Sequence, residues 1–177
     1  MKQTMHNIRI VVAILLALFV SIGAGNVLGE EKKEVSTTPH GDWVLQCPKE
    51  KGPKAEKPCA LIQQIIADKS KSPIVSIIFL QAGDPASLHT IVRMPLGVAL
   101  PPGMSLQIDD GEASKWRFNH CEPGGCLVTS KVSPEVRKKL EAGAKANIGF
   151  YSIGGQKIVV PASLKGITAG LNALEKQ

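Results

Sequence analysis

The sequence predicts a mainly β protein, an antiparallel β-sandwich or flattened barrel carrying two short α-helices. Three observations lead there. Beyond residue 40 the chain breaks into eight or nine short runs of alternating or β-branched apolar residues, punctuated by Gly, Pro and Asp-Gly turns. Helical periodicity appears only twice, late in the chain, so there is no β-α alternation to build a parallel sheet. Four cysteines, all beyond residue 46, suit a small domain stapled in an oxidising compartment.

The first residues stand apart. Met1–Arg9 carries Lys2 and Arg9 and no acid, Ile10–Val20 is an unbroken apolar run, and Ser21–Gly29 turns small and weakly polar. That order is the pattern of a secretory signal peptide, residues 1–29. The preferred cut follows Gly29, with Val27 at the −3 position; cuts after Ala24 or Gly25 are the alternatives. An uncleaved anchor is the rival reading. Crossing the hydrocarbon takes about 20 apolar residues, and Gly23, Gly25 and Asn26 interrupt this run. A lipoprotein would need a cysteine just after the run, and the first is Cys47. Residues 30–39 are charged and small and read as a disordered lead-in. Residues 40–177 read as one all-β domain.

Alternation begins at Gly41, with Trp43, Leu45 and Cys47 on one face. Residues 48–58 form a loop in which Lys49, Lys51, Lys54 and Lys57 face Glu50 and Glu56; it reads as a solvated loop or, alternatively, a basic binding loop. Cys59–Ala67 and Ile74–Gln81 are β-branched runs that fit strands buried on both faces or nearly so. Leu88–Arg93 is a shorter strand. Pro95–Gly103 cannot be a central strand, because proline lacks the amide donor. Met104–Asp109 and Ala113–Cys121 flank Asp110-Gly111, a hairpin signal, with Trp116, Phe118 and His120 on the face expected to be core. Cys126–Lys131 returns after Glu-Pro-Gly-Gly. Ser133-Pro134-Glu135 opens a helix, with Ser as N-cap and Pro at the first helical position; Val136 and Leu140 point inward, Arg137–Lys139 outward. Lys145–Tyr151 and Lys157–Pro161 are strands around Gly154-Gly155. Leu164, Ile167, Leu171 and Leu174 have helical spacing over Ser163–Leu174.

Four cysteines allow three connectivities. The turn between Cys121 and Cys126 and the short loop between Cys47 and Cys59 favour pairing neighbours. Chain entropy gives about 3 kcal/mol for the first loop and about 2 kcal/mol for the second, against about 4.5 kcal/mol for a crossed pair. Turn chemistry, not entropy, therefore selects Cys47–Cys59 and Cys121–Cys126.

Catalytic chemistry finds little support. His40, His89 and His120 lack metal-ligand spacing, and His120-Cys121 beside Cys126 lacks a second close pair. Four residues between Cys121 and Cys126 differ from a thioredoxin-like centre. Ser163 lacks a nucleophile elbow, and Asp109-Asp110 suits a turn. The net charge of +6 falls to +4 without Lys2 and Arg9, too mild for a nucleic-acid binder. No catalytic, cofactor or metal site is assigned. Membrane association would come through an uncleaved leader alone.

Several segments, read in order, resemble one family. They are Gly41-Asp42-Trp43 leading to Cys47; Pro95-Leu96-Gly97-Val98 with Leu100 and Gly103; Ile108-Asp109-Asp110-Gly111; Phe118, Cys121 and Gly125-Cys126; and Pro161-Ala162-Ser163-Leu164-Lys165-Gly166. Together they resemble the invasion-associated locus B family of Gram-negative bacteria over almost all of the chain beyond the leader. Departures are Ile167, where the family often has an aromatic, and the long Lys-rich loop before Cys59. The resemblance implies a periplasmic or surface-exposed, non-enzymatic β protein, some of whose relatives are implicated in host-cell entry. It carries no catalytic residues.

The function expected from the sequence is an exported envelope protein that binds a macromolecular partner, a host-cell or envelope component. A periplasmic housekeeping or stress accessory protein is the alternative, and an enzyme of unrecognised type a third. N-terminal sequencing of protein from the native envelope should begin between Gly25 and Glu31; a start at Met1 would refute cleavage.

Overall fold

The computed structural model describes residues 35–49, 58–67 and 72–177; the leader and Lys51, Lys54 and Lys57 lie outside the described residues. Among the described residues eleven strands and two helices follow in order: β1 (Val35–His40), β2 (Trp43–Pro48), β3 (Ala60–Ile66), β4 (Pro73–Ala82), β5 (Ser87–Met94), β6 (Met104–Ile108), β7 (Ser114–Trp116), β8 (His120–Glu122), β9 (Gly125–Lys131), α1 (Pro134–Ala142), β10 (Lys145–Tyr151), β11 (Lys157–Ser163) and α2 (Ile167–Leu174). Seven strands form one sheet in the order β1-β2-β3-β4-β5-β9-β8, and four form a second in the order β11-β10-β6-β7. Every pairing is antiparallel. The two sheets stay open at their edges, so the fold is a sandwich and not a barrel.

The core lies between the sheets. Trp43, Leu45, Leu61, Ile77, Phe79 and Val92 from the larger sheet belong to one buried cluster with Met104, Leu106, Ile148, Phe150 and Val160 from the smaller. Trp43 is 1% exposed, and its ring lies 5.5 Å from that of Phe79, tilted by 48°. Helix α2 closes the sandwich, burying Ile167, Leu171 and Leu174. Gly170 lets it approach the sheet, since a Cβ there would run into the Leu61 side chain.

One polar node joins the layers. Trp43 Nε1 donates to Ser163 O at 3.1 Å, and Gln63 Nε2 donates both to the same carbonyl at 3.0 Å and to Asp42 O at 3.1 Å. Both partners are acceptors, so the amide of Gln63 can only present its NH2 here. Alongside, Asp42 N donates to Lys165 O at 3.1 Å. The backbones of Gly41 and Gly166 meet at this point, both with positive φ (61° and 88°). A Cβ on Gly166 would collide with the His40 carbonyl, which is why a residue without one stands there.

Four expectations about strands and element boundaries need correction. Residues 35–39, expected to be disordered, belong to β1: every residue from Val35 to His40 pairs with β2 across the Gly41-Asp42 turn. Composition hid this, because an edge strand exposed to water need not be apolar, and it tolerates Pro39. β3 is not buried on both faces. Leu61 and Gln63 point inward, while Gln64 and Ile66 face solvent. The run Ala113–Cys121 is not one strand either. After Trp116 the chain leaves the smaller sheet and joins the larger as β8, so Trp116 and Phe118 are half-buried and His120 is exposed. Finally, the helix expected from Ser163 starts at Ile167; β11 continues through Ser163, whose carbonyl is held by Trp43 and Gln63.

Helix α1 starts as expected, with Ser133 Oγ accepting from Val136 N at 3.2 Å. Arg137, expected to point outward, is half-buried. It bonds Glu141 at 2.8 Å and Glu175, the C-cap residue of α2, clamping the two helices together.

These burials rank the two tryptophans. Trp43→Ala should destabilise by about 3–5 kcal/mol, as expected for a fully buried large aromatic. Half-buried Trp116→Ala should cost about 1–2 kcal/mol. Chemical denaturation of both variants, with equal or reversed losses, would refute this placement of the core.

Candidate functional site

Asp109 and Ser163, which invited a catalytic reading, make backbone contacts that shape the fold. Asp109 has a positive φ of 48°, and its carboxylate accepts from Ala144 N at 3.1 Å and Lys145 N at 2.9 Å. It thereby fixes the entry to β10 after α1. Ser163 Oγ accepts from Lys165 N at 3.2 Å, shaping the turn into α2. His40, His89 and His120 are not brought together. His40 ends β1 and His120 begins β8, at opposite edges of the larger sheet, while His89 sits on β5 with Nδ1 2.9 Å from Ser87 O. Among the described residues no group of three His, Cys, Asp or Glu is placed to hold a metal ion.

The cysteines pair as neighbours, Cys47 with Cys59 and Cys121 with Cys126. The first ties the end of β2 to the approach of β3. The second joins directly opposed residues of the β8–β9 hairpin. Arg93 of β5 reaches across to Glu122 at 2.9 Å and holds the tip of that hairpin. Of the candidate lysine loop only Lys49 is described, and it is exposed.

Two surface features remain. An open cleft of about 990 Å³ lies beside the Cys47–Cys59 bridge, with Ser87, Lys131, Pro134, Arg137 and Glu175 along it. Its Arg137 and Glu175 are bonded to each other, so that pair is already occupied in joining the helices. The other feature is an apolar end. The connection after β5 and the β10–β11 hairpin come together there through Ala99 N to Tyr151 O (2.7 Å), Ile153 N to Gly97 O (2.8 Å) and the Val98–Ser152 bridge. Val98 is buried, but Leu96 (58% exposed), Leu100, Tyr151 and Ile153 (80% exposed) are left in water. Leu100 continues into a shallow groove with Pro101, Arg117, Phe118 and His120. Large apolar side chains grouped on adjoining turns mark a contact surface more often than isolated ones do.

Sequence reasoning missed this surface. It treated Pro95–Gly103 as a shaped connection and Gly154-Gly155 as a turn. The available signal was Leu96 beside Gly97 and Ile153 beside Gly154: aliphatic residues where turns are normally polar.

The described residues define a disulfide-stapled, two-sheet antiparallel β-sandwich whose polar interior is spent on joining layers. The chain belongs to the invasion associated locus B (IalB) protein family, which it matches over residues 43–175. It is 27% identical over 136 residues to an invasion protein B homolog of Brucella abortus strain 2308, with 76% of each chain covered, and to the same degree to the homolog in B. abortus biovar 1 strain 9-941. Its fold is similar to the crystal structure of invasion associated protein B from Bartonella henselae, with a TM-score of 0.68 and 21% identity, covering 80% of this chain and 99% of that one.

The helix clamp carries a pH dependence. The hydrogen bond from Arg137, more than its charge alone, holds the Glu175 carboxyl below its ordinary range. A depressed folded-state value stabilises the fold above the unfolded value and is lost as pH falls through the folded one. Glu175 is partly exposed, so solvent screening keeps the effect small and salt-sensitive. Thermal melts from neutral pH to about pH 3 should fall less steeply for Arg137→Gln than for the wild type. Parallel curves would show that the clamp contributes nothing.

Proposed function

We propose that the protein is exported to the periplasm or cell surface and acts there as a non-enzymatic binding protein, meeting a macromolecular partner through the apolar end. The observation that carries this reading is the grouping of Leu96, Leu100, Tyr151 and Ile153 in solvent. A protein this size has enough interior to bury four such side chains, and the exposed Ile153 gains nothing for the fold. Both cysteine pairs suit an oxidising compartment. The names of the Brucella relatives, invasion protein B homologs, support a partner at the bacterial envelope or on a host cell.

Complementation of a deletion strain tests the reading. Ile153→Asp combined with Leu96→Asp should leave the fold intact by circular dichroism and reduce function by roughly tenfold or more, the usual weight of a central contact residue. Replacing His40, His89 and His120 together by Gln should leave function unchanged in a folded protein. The opposite pattern, loss with the histidines and none with the apolar residues, would put an enzyme first. Protease shaving of whole cells separates surface from periplasm.

A further inference from the structure

The chemistry around the apolar end says what kind of partner fits it. Of the exposed aliphatic side chains, Ile153 and Leu96 stand on turns, and Leu100 borders the shallow groove. Ile153 stands in the Ser152–Gln156 connection, where Gly154 and Gly155 follow, and Leu96 stands in the turn that contains Gly97. A protein partner most often buries its anchors by fitting them into preformed pockets. Protruding apolar tips are suited to a deformable apolar medium.

The outer face of the smaller sheet adjoins these tips and is basic. In the β10–β11 register Tyr151 lies opposite Lys157, so the two share a face, and Gly149 lies opposite exposed Val159 on that same face. The row continues through Ser105 of β6 to Lys115 of β7. Arg117 and His120 line the groove beside Leu100, and that groove contains no acid. Glu122, at the turn of the neighbouring hairpin, is bonded to Arg93. The acids of the smaller sheet, Asp109, Asp110 and Glu112, cluster at the β6–β7 turn, the opposite end of those strands from Met104 and Trp116. Lys157, Lys115 and Arg117 thus lie toward the apolar tips, while exposed Lys145 lies with the acids at the far end.

We infer that this end of the sandwich docks peripherally on the anionic phospholipid face of a bilayer, with Ile153, Leu96 and Leu100 entering the headgroup boundary and Lys157, Lys115 and Arg117 meeting lipid phosphates. The inference rests on the reading of this end as the binding surface and names its partner. Interfacial elements of this kind bury apolar side chains roughly 5–10 Å into the boundary. Each basic residue held near an anionic surface strengthens binding roughly fivefold. The apolar tips alone would bind weakly, and the cations alone would be screened; together they make a two-part contact.

Vesicle co-sedimentation tests it. Wild-type protein and variants are isolated from the native envelope, so all share one N-terminus and differences report only this surface. Wild type should bind vesicles of phosphatidylcholine with phosphatidylglycerol at least about tenfold more tightly than vesicles of phosphatidylcholine alone, and added salt should weaken that binding. Ile153→Asp should bind roughly tenfold more weakly. Lys157→Glu should lose roughly fivefold or more, while Lys138→Glu, the same charge change on the exposed side of α1, should not. Equal binding by wild type and Ile153→Asp, or equal losses for the two lysine reversals, would overturn the inference. If wild type binds neither vesicle while Ile153→Asp still loses function in complementation, the surface is a binding site for a protein and the lipid assignment is wrong. A concentration-dependent dimer that Ile153→Asp abolishes, without vesicle binding, would assign the surface to a second copy of the chain.

Discussion

The carbonyl of Ser163 is the point on which the two sheets depend. It ends the edge strand of the smaller sheet and accepts from Trp43 and Gln63 of the larger one. Burying Gln63, 7% exposed, inside an apolar layer is unfavourable unless its amide is matched, and the two carbonyls of Asp42 and Ser163 supply that match. Its Oε1 is left without a partner among the described residues, a cost that apolar packing around Trp43 must offset. The node therefore defines how the layers align: sliding one sheet over the other would leave an indole N–H, an amide and a carbonyl unpaired in a low-dielectric interior.

Much of what surrounds the node serves it. The contact of Gly41 with Gly166 brings the β1–β2 turn against the turn into α2, and Asp42 N to Lys165 O closes the same seam. Asp109 anchors the far end of the smaller sheet through two backbone amides. The disulfides act locally, each joining neighbouring strands within the larger sheet. Cross-layer order thus comes from hydrogen bonds and packing, and the sulfur bridges secure hairpins. The segments that carry the family resemblance divide along this line. Gly41-Asp42-Trp43, Ile108-Asp109 and Ser163-Leu164-Lys165-Gly166 are structural, whereas Leu96 and Leu100 are spent on the surface.

That division gives membership of the invasion associated locus B family a physical content. The Bartonella henselae protein has a similar fold at 21% identity; in this chain the layers are held together by the residues named above. They do not by themselves define a partner. The surface left over in this chain is apolar at the turn tips and basic on the adjoining face.

The strand pattern, the Asp110-Gly111 hairpin, the Ser133 cap and the neighbouring cysteines were legible in the sequence, because each is a local signal: alternation, turn chemistry and capping act within about ten residues. The inward face of β2 was legible for the same reason. What only the tertiary structure decided depends on partners far along the chain. β1 looks disordered by composition and is ordered by pairing with β2. β8 looks like a continuation of β7, yet it leaves for the other sheet because Asn119 N finds Leu127 O and Cys121 faces Cys126. Arg137 lies on the polar side of its helix by periodicity, and becomes half-buried because Glu175, 38 residues on, meets it. Leu96 and Ile153 are 57 positions apart in the sequence. No local pattern could reveal that they share one end of the molecule, because the hydrogen bonds that bring them there form only once both sheets are in place.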